Sequence, residues 1–415
     1  MADVSPRIVA TYVIESPIEL GRVAEVMAGE QSTGTFVRLP SETEALLARH
    51  AATVTSVKDL GEVAQPSLMG RARPGPIRRG EVVISYPLEN VGTSLPNIMT
   101  TVAGNLFELR DLTGIRLEDI EFPDEVAKDN PGPAYGVEGT RSLVDVWERP
   151  IIGTIIKPSV GLSPADTACL CRELSMAGVD FIKDDELMAD SPHSPFAQRV
   201  PAVLAALGSA SQRTGRRTMY AANVTNEIDG MLRNADIVRA NGGTCLMVSL
   251  NSVGLAGVLA LRRTTGLPVH GHRNGWGALT RHGSLGFSFI AYQKFWRLAG
   301  VDQLHVNGLR NKFWEPDASV VASARACLRP LGTTRPVLPV FSSAQSAVQA
   351  RDTYQALGST DLMYICGGGI MGHPDGVAAG VASVVEAWSA AVEGVPATER
   401  ALGHVALRRA LETFG

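Results

Sequence analysis

From residue 150 onward, short apolar runs alternate with stretches in which apolar positions return every three or four residues. That alternation is the pattern of strands each followed by a helix. Strands are expected at 151–156, 179–183, 217–223, 245–249, 268–272, 303–306, 337–341 and 362–366. Helices are expected at 163–177, 195–214, 226–240, 252–264, 284–299, 317–329, 344–357 and 375–392, with one more over the tail at 398–413. Ser163 and Pro164 open the first of these helices as an N-cap followed by a first-turn proline. Repeated strand–helix units of this kind close most simply into a parallel (β/α)8 TIM barrel.

The first 130 residues read differently. Runs at 7–14, 34–38, 52–57 and 81–87 suit strands, and 17–28 and 41–49 suit helices, which together make a small α+β domain of ferredoxin-like type. The stretch Asn130, Pro131, Gly132, Pro133 is the natural joint. The expected domains are therefore 1–133, α+β, and 134–415, a barrel with a C-terminal helix. A chain of 415 residues is long enough for both.

Composition narrows the function classes. The chain is 45% hydrophobic and 19% charged, a mixture that supports large cores. A net charge of -4 with scattered arginines gives no footprint for nucleic acid. No apolar run is long enough for a membrane span, and the start of the chain lacks a signal-peptide pattern, so a cytoplasmic location is expected. The five cysteines lack paired metal-ligand spacing and read as reduced residues of helices and strands.

Barrel chemistry collects at the carboxyl ends of strands, because those ends lead into the loops of one mouth. At those ends stand Lys157, the cluster Lys183, Asp185 and Glu186, then His272 and Arg273, His305, Ser342, and the glycines from Gly367 to Gly369, with Lys312 in the loop after the sixth strand. Taken singly, Lys157 reads as a surface lysine, the acidic cluster as a solvated loop, a histidine as structural and a triple glycine as a flexible turn. Together they offer hard oxygen ligands suited to Mg²⁺ and backbone N–H groups free to approach an anion.

The segments from Lys157 to Ser163, Gly178 to Glu186, His270 to Arg273 and Gly367 to Pro374 resemble, in order and spacing, the RuBisCO large-subunit superfamily. Gly29 to Phe36, Asn97 to Phe107 and Leu117 to Asp119 extend the resemblance into the first domain. It implies that Lys183, carbamylated by CO₂ to N6-carboxylysine, joins Asp185 and Glu186 around one Mg²⁺. Lys157 would be the acid/base, His272 would assist proton movement, and Lys312 would act from its loop. Arg273, His305 and Ser342 would hold one phosphate, and Gly367 and Gly368 would line a second anion position. Glu30, Thr35 and Asn105 would reach the substrate from the first domain of another subunit, so that a homodimer is required.

Several positions depart from the carboxylase pattern. Ser159 stands where a second lysine is usual, Ser343 and Ala344 where a glycine pair is usual, and Phe36 where a tryptophan is usual. The resemblance therefore points to a RuBisCO-like protein and away from carbon fixation. The branch with the His270–Gly277 and Gln303–Leu309 segments implies Mg²⁺-dependent decarboxylation of the sugar phosphate 3-oxo-isoapionate 4-phosphate through an enediolate, in apionate catabolism. Transcarboxylation with hydrolysis of the same substrate, a methionine-salvage enolase or isomerase, and a non-catalytic sugar-phosphate-binding barrel are the alternatives. Trp276 or Trp314 could line the apolar pocket that a methylthio substrate needs, or simply pack.

Overall fold

The computed structural model describes residues 5–34, 39–70 and 75–415. The expected strand at 34–38 and the candidate Thr35 fall largely or wholly outside them. Four strands come first: β1 (Arg7–Ser16), β2 (Thr53–Val63), β3 (Ile77–Pro87) and β4 (Gly114–Glu121). Five more follow as β5 (Ile151–Ile155), β6 (Phe181–Lys183), β7 (Met219–Asn223), β8 (Cys245–Ser249) and β9 (Val269–His272). The last are β10 (Leu285–Phe287), β11 (Gln303–His305), β12 (Leu338–Phe341) and β13 (Met363–Ile365).

The chain divides into two compact units, the first formed by Met1–Pro131, Gly275–Leu298 and Leu331–Thr333 and the second by the remainder. In the first, a five-stranded sheet runs β10-β4-β1-β3-β2. Its members pair antiparallel except for β10, which lies parallel to β4. β1 alternates by two, burying Ile8, Ala10, Tyr12 and Ile14 completely, as a strand with one covered face must. The helix Leu20–Glu30 buries Val23, Ala24 and Met27, with Glu19 capping it from Gly21 N and Arg22 N.

One expectation fails here, and two elements appear that none covered. The helix expected over 284–299 begins only at Phe289, because Leu285–Phe287 pairs with Ile115–Leu117 instead. The helix Leu95–Ala103 and strand β4 were not anticipated. Trp276 is buried against Tyr292 at 4.4 Å and Phe289 at 5.8 Å between ring centroids, so it packs within this unit.

The second unit is the closed barrel, ordered β5-β6-β7-β8-β9-β11-β12-β13 and back to β5, all parallel. Its centre is an apolar plug of Ile151, Phe181, Met219, Ala221, Cys245, Met247, Leu338, Val340, Met363 and Ile365. Side chains on one face of a strand recur every second residue. Two positions beyond the plug, the same inward row therefore reads Lys183 after Phe181, Asn223 after Ala221, Ser342 after Val340 and Gly367 after Ile365. By the same step Lys157 follows Ile155, His272 follows His270 and His305 follows Gln303. These seven residues thus form one layer directly above the hydrophobic core.

The expected tail helix is two shorter ones, Ala397–Arg400 and Val405–Phe414. The segment expected as a helix from 344 starts its regular turns at Ala347, behind the left-handed pair Ser343 and Ala344.

Candidate active site

Lys183 ends β6 fully buried, its Nζ 2.7 Å from the Asp184 carbonyl and 3.5 Å from Glu186 Oε2. Burial lowers its pKa, against the upward pull of Glu186, Asp185 and Asp184. Desolvation of this kind favours the neutral amine. Asp185 accepts from Lys157 Nζ at 2.6 Å, and the same ammonium donates to Ser159 Oγ at 2.8 Å. Glu186 lies 3.6 Å from His272 Nε2. Burial pushes the Glu186 carboxyl up, but the charges at Lys183, His272 and Lys157 outweigh it and bring it to about 2. Burial, then Lys183, bring His272 down to about 4. The structure thus gathers Lys157, Lys183, Asp185, Glu186 and His272 into one cluster.

The middle member of that acidic run behaves differently. Asp184 is buried and turned toward Arg199 at 3.3 Å, Tyr220 Oη at 2.7 Å and Asn223 N at 3.0 Å. Asn223 in turn donates through Nδ2 to the carbonyls of Asp185 and Glu186 at 3.2 and 3.3 Å. It braces the turn that presents the two carboxylates. Sequence reasoning passed over Asn223, although its place two residues beyond Ala221 on the inward row was the available signal.

Arg273 is buried in an ion pair with Glu315, which also accepts from Asn307 Nδ2 at 2.7 Å and Ser319 Oγ at 2.9 Å. Nothing local in the sequence marked Glu315, since its charged partner Arg273 lies 42 residues away along the chain. His305 sits between His270 Nε2 at 2.9 Å and Ser342 Oγ at 3.0 Å, so both of its ring nitrogens have protein partners. Gly367 lies against Lys157, whose Cε would be 3.8 Å from a Cβ placed there, and space is open over Gly368. Gly369 is required for a different reason, because a Cβ there would meet the Gln345 carbonyl at 2.5 Å. Lys312 is exposed, its Nζ 5.3 Å from the Phe313 ring, and is not drawn into the cluster. Glu30 and Asn105 are exposed in the first unit, their side chains 3.4 Å apart.

Among the described residues, no group of three or more His, Cys, Asp or Glu side chains is disposed to hold a metal ion. Two carboxylates beside a buried lysine are part of a donor set for a divalent cation, which a further anionic oxygen on the lysine would extend. A buried amine with a lowered pKa is the form of lysine able to take up CO₂ for that purpose.

A closed parallel barrel with lysines, carboxylates and histidines layered over its apolar plug is a (β/α)8-barrel enzyme. The chain belongs to the ribulose bisphosphate carboxylase large-chain family, whose catalytic-domain model matches residues 136–414 and whose N-terminal-domain model matches residues 3–126. It is 51% identical over 409 residues, 98% of this chain and 99% of the other, to a 3-oxo-isoapionate-4-phosphate transcarboxylase/hydrolase of Xanthobacter autotrophicus. It is 44% identical over 411 residues, 98% of each chain, to a 3-oxo-isoapionate-4-phosphate decarboxylase of Rhizobium rhizogenes. A rubisco-like protein from Burkholderia fungorum superposes with a TM-score of 0.93 at 47% identity, over 98% of this chain and 99% of that one.

Proposed function

We propose that this chain is a Mg²⁺-dependent carbon–carbon lyase that removes the carboxylate of 3-oxo-isoapionate 4-phosphate, and is not a carbon-fixing carboxylase. The observation that carries the reading is the joint placement of buried Lys183 and Asp185 and half-buried Glu186, with Lys157 2.6 Å from Asp185. Lys183, as N6-carboxylysine, with Asp185 and Glu186 would hold one Mg²⁺, which when bound polarises a ketone and stabilises negative charge on its oxygen.

The chain's own groups then have distinct tasks. When the bond to the carboxylate carbon breaks, CO₂ leaves and the electron pair stays with the carbon next to the ketone. Lys157 is placed to return a proton there, because its ammonium stands at the mouth with Ser159 and Asp185 holding Nζ. His272 borders the same space and, near neutral pH, is an uncharged base able to bind or deprotonate a hydroxyl. The substrate named for the relatives carries a single phosphate, and we assign it to the glycine turn at Gly367 and Gly368 beside Lys157, which can offer backbone N–H groups to an anion. Glu30, Thr35 and Asn105 complete the site from a second subunit, and Lys312 joins it when its loop moves inward, so the working form is a homodimer. A phosphorylated sugar acid is retained inside the cell, which supports a cytoplasmic enzyme.

A second reading has specific support in the 51% identical relative, named as a transcarboxylase/hydrolase. There the carboxyl is moved within the substrate and the product is hydrolysed. Carbon-13 NMR of the products from carboxyl-labelled 3-oxo-isoapionate 4-phosphate tests both. Label in bicarbonate with a four-carbon ketose phosphate supports decarboxylation, glycolate with 3-phosphoglycerate supports the second reading, and no turnover removes both.

A further inference from the structure

His305 and Ser342 of the mouth layer join Gln303 and His270, one step below that layer on their own strands, in a buried row of four polar side chains. Gln303 Oε1 is 2.9 Å from His270 Nδ1, His270 Nε2 is 2.9 Å from His305 Nε2, and His305 Nδ1 is 3.0 Å from Ser342 Oγ. All four are buried: Gln303 and His270 are 0% exposed, His305 4% and Ser342 5%. Desolvation holds both histidines well below their ordinary pKa, with neighbouring positive charge adding to it, so both rings are neutral.

A neutral imidazole has one N–H and one bare nitrogen, so the direction of such a row is decided at its end. That end is the Gln303 amide. Its Nε2 faces the acceptors Met219 Sδ and Thr140 Oγ1, each at 3.4 Å, while its Oε1 side also faces the Cys245 thiol at 3.9 Å. An amide oxygen only accepts. His270 must therefore carry its proton on Nδ1 and leave Nε2 bare. His305 must then donate from Nε2, which leaves its Nδ1 bare. Ser342 must donate its hydroxyl proton to that nitrogen.

We propose that Gln303 and His270 are positioning residues that fix the tautomer of His305 and, through it, make Ser342 a hydrogen-bond acceptor toward the barrel mouth. An anion needs donors, and His305 and Ser342 then offer none, which leaves Arg273, ion-paired with Glu315, as the donor of this wall. The His305–Ser342 edge therefore suits a substrate hydroxyl. The inference rests on the reading of the mouth as the substrate site, but the tautomers exist without substrate and can be measured alone.

The test is long-range ¹H–¹⁵N NMR of the full chain labelled in its histidines, with signals assigned from single His→Gln variants. His305 is expected protonated on Nε2 and His270 on Nδ1 from pH 6.5 to 8. The opposite pair, or fast exchange between tautomers, overturns the proposal whether or not the enzyme turns over the proposed substrate. In Gln303→Met both rings should lose their single tautomer, and KM should rise ~3- to 10-fold, the order expected for one hydrogen bond, with kcat within about twofold. Unchanged tautomers in that variant overturn it as well. Should Gln303→Met not fold, the wild-type spectrum decides.

Discussion

Two adjacent aspartates should give opposite phenotypes. Asp184 is buried, and its carboxylate accepts from Arg199, Tyr220 and Asn223 N, whereas Asp185 faces Lys157 at the mouth. Asp184→Asn removes the counter-charge of a fully buried arginine. Breaking one side of a buried pair costs about 3–5 kcal/mol. With roughly 2–4 °C per kcal/mol for a unit of a few hundred residues, the unfolding temperature should fall by roughly 6–20 °C. Asp184→Leu with Arg199→Met, which removes both charges, should recover most of that loss. Asp185→Asn should change the unfolding temperature by no more than about 3 °C, the effect of roughly 1 kcal/mol, yet abolish turnover. Calorimetry of all three proteins, with carbon-13 turnover at a temperature where each is folded, makes the comparison. If Asp184→Asn unfolds with the wild type while Asp185→Asn is strongly destabilised, the division between a bracing and a metal-facing carboxylate is wrong.

Lys157→Met should lower kcat by ~10²–10⁴, the usual range for a general acid, with KM nearly unchanged; an unaltered kcat removes it from the proton transfer. Stability should fall as pH drops below about 6.5. His270 and His305 have folded pKa values depressed well below their unfolded values, so their contribution is complete above the unfolded pKa and lost as the unfolded chain takes up protons. Two such groups give a slope of about 3 kcal/mol per pH unit near pH 5, and urea unfolding at pH 5 and 6 with equal midpoints would refute it. Ala344 is held at φ 60. Since a left-handed non-glycine residue costs roughly 1–2 kcal/mol and glycine returns part of that in chain entropy, Ala344→Gly should stabilise the protein by about 0.5–1 kcal/mol in the same assay.

The barrel was legible because most of its strands are short buried apolar runs, and because two-residue periodicity carries each strand from the plug into the mouth. That rule alone places Lys183, His272, His305 and Ser342 on one inward layer. Asn223 and Gln303 obey it too, yet a lone amide at a strand end carries no chemical signature until its partners are known. Leu285–Phe287 was misread as helix because the amphipathic pattern of 289–299 directly adjoins it, while its pairing with β4 spans 170 residues of chain. Glu315 and Asp184 acquire their meaning from Arg273 and Arg199, contacts that no local window contains.

Magnesium binding measured by titration calorimetry, with and without bicarbonate, on the wild type and on Lys183→Ala, addresses the central claim most directly. Bicarbonate should raise the affinity of the wild type at least about tenfold, the ~1.4 kcal/mol expected at minimum for one added anionic ligand, and leave the variant unchanged. Equal affinities in the two proteins under both conditions would show that Lys183 does not complete a metal site with Asp185 and Glu186.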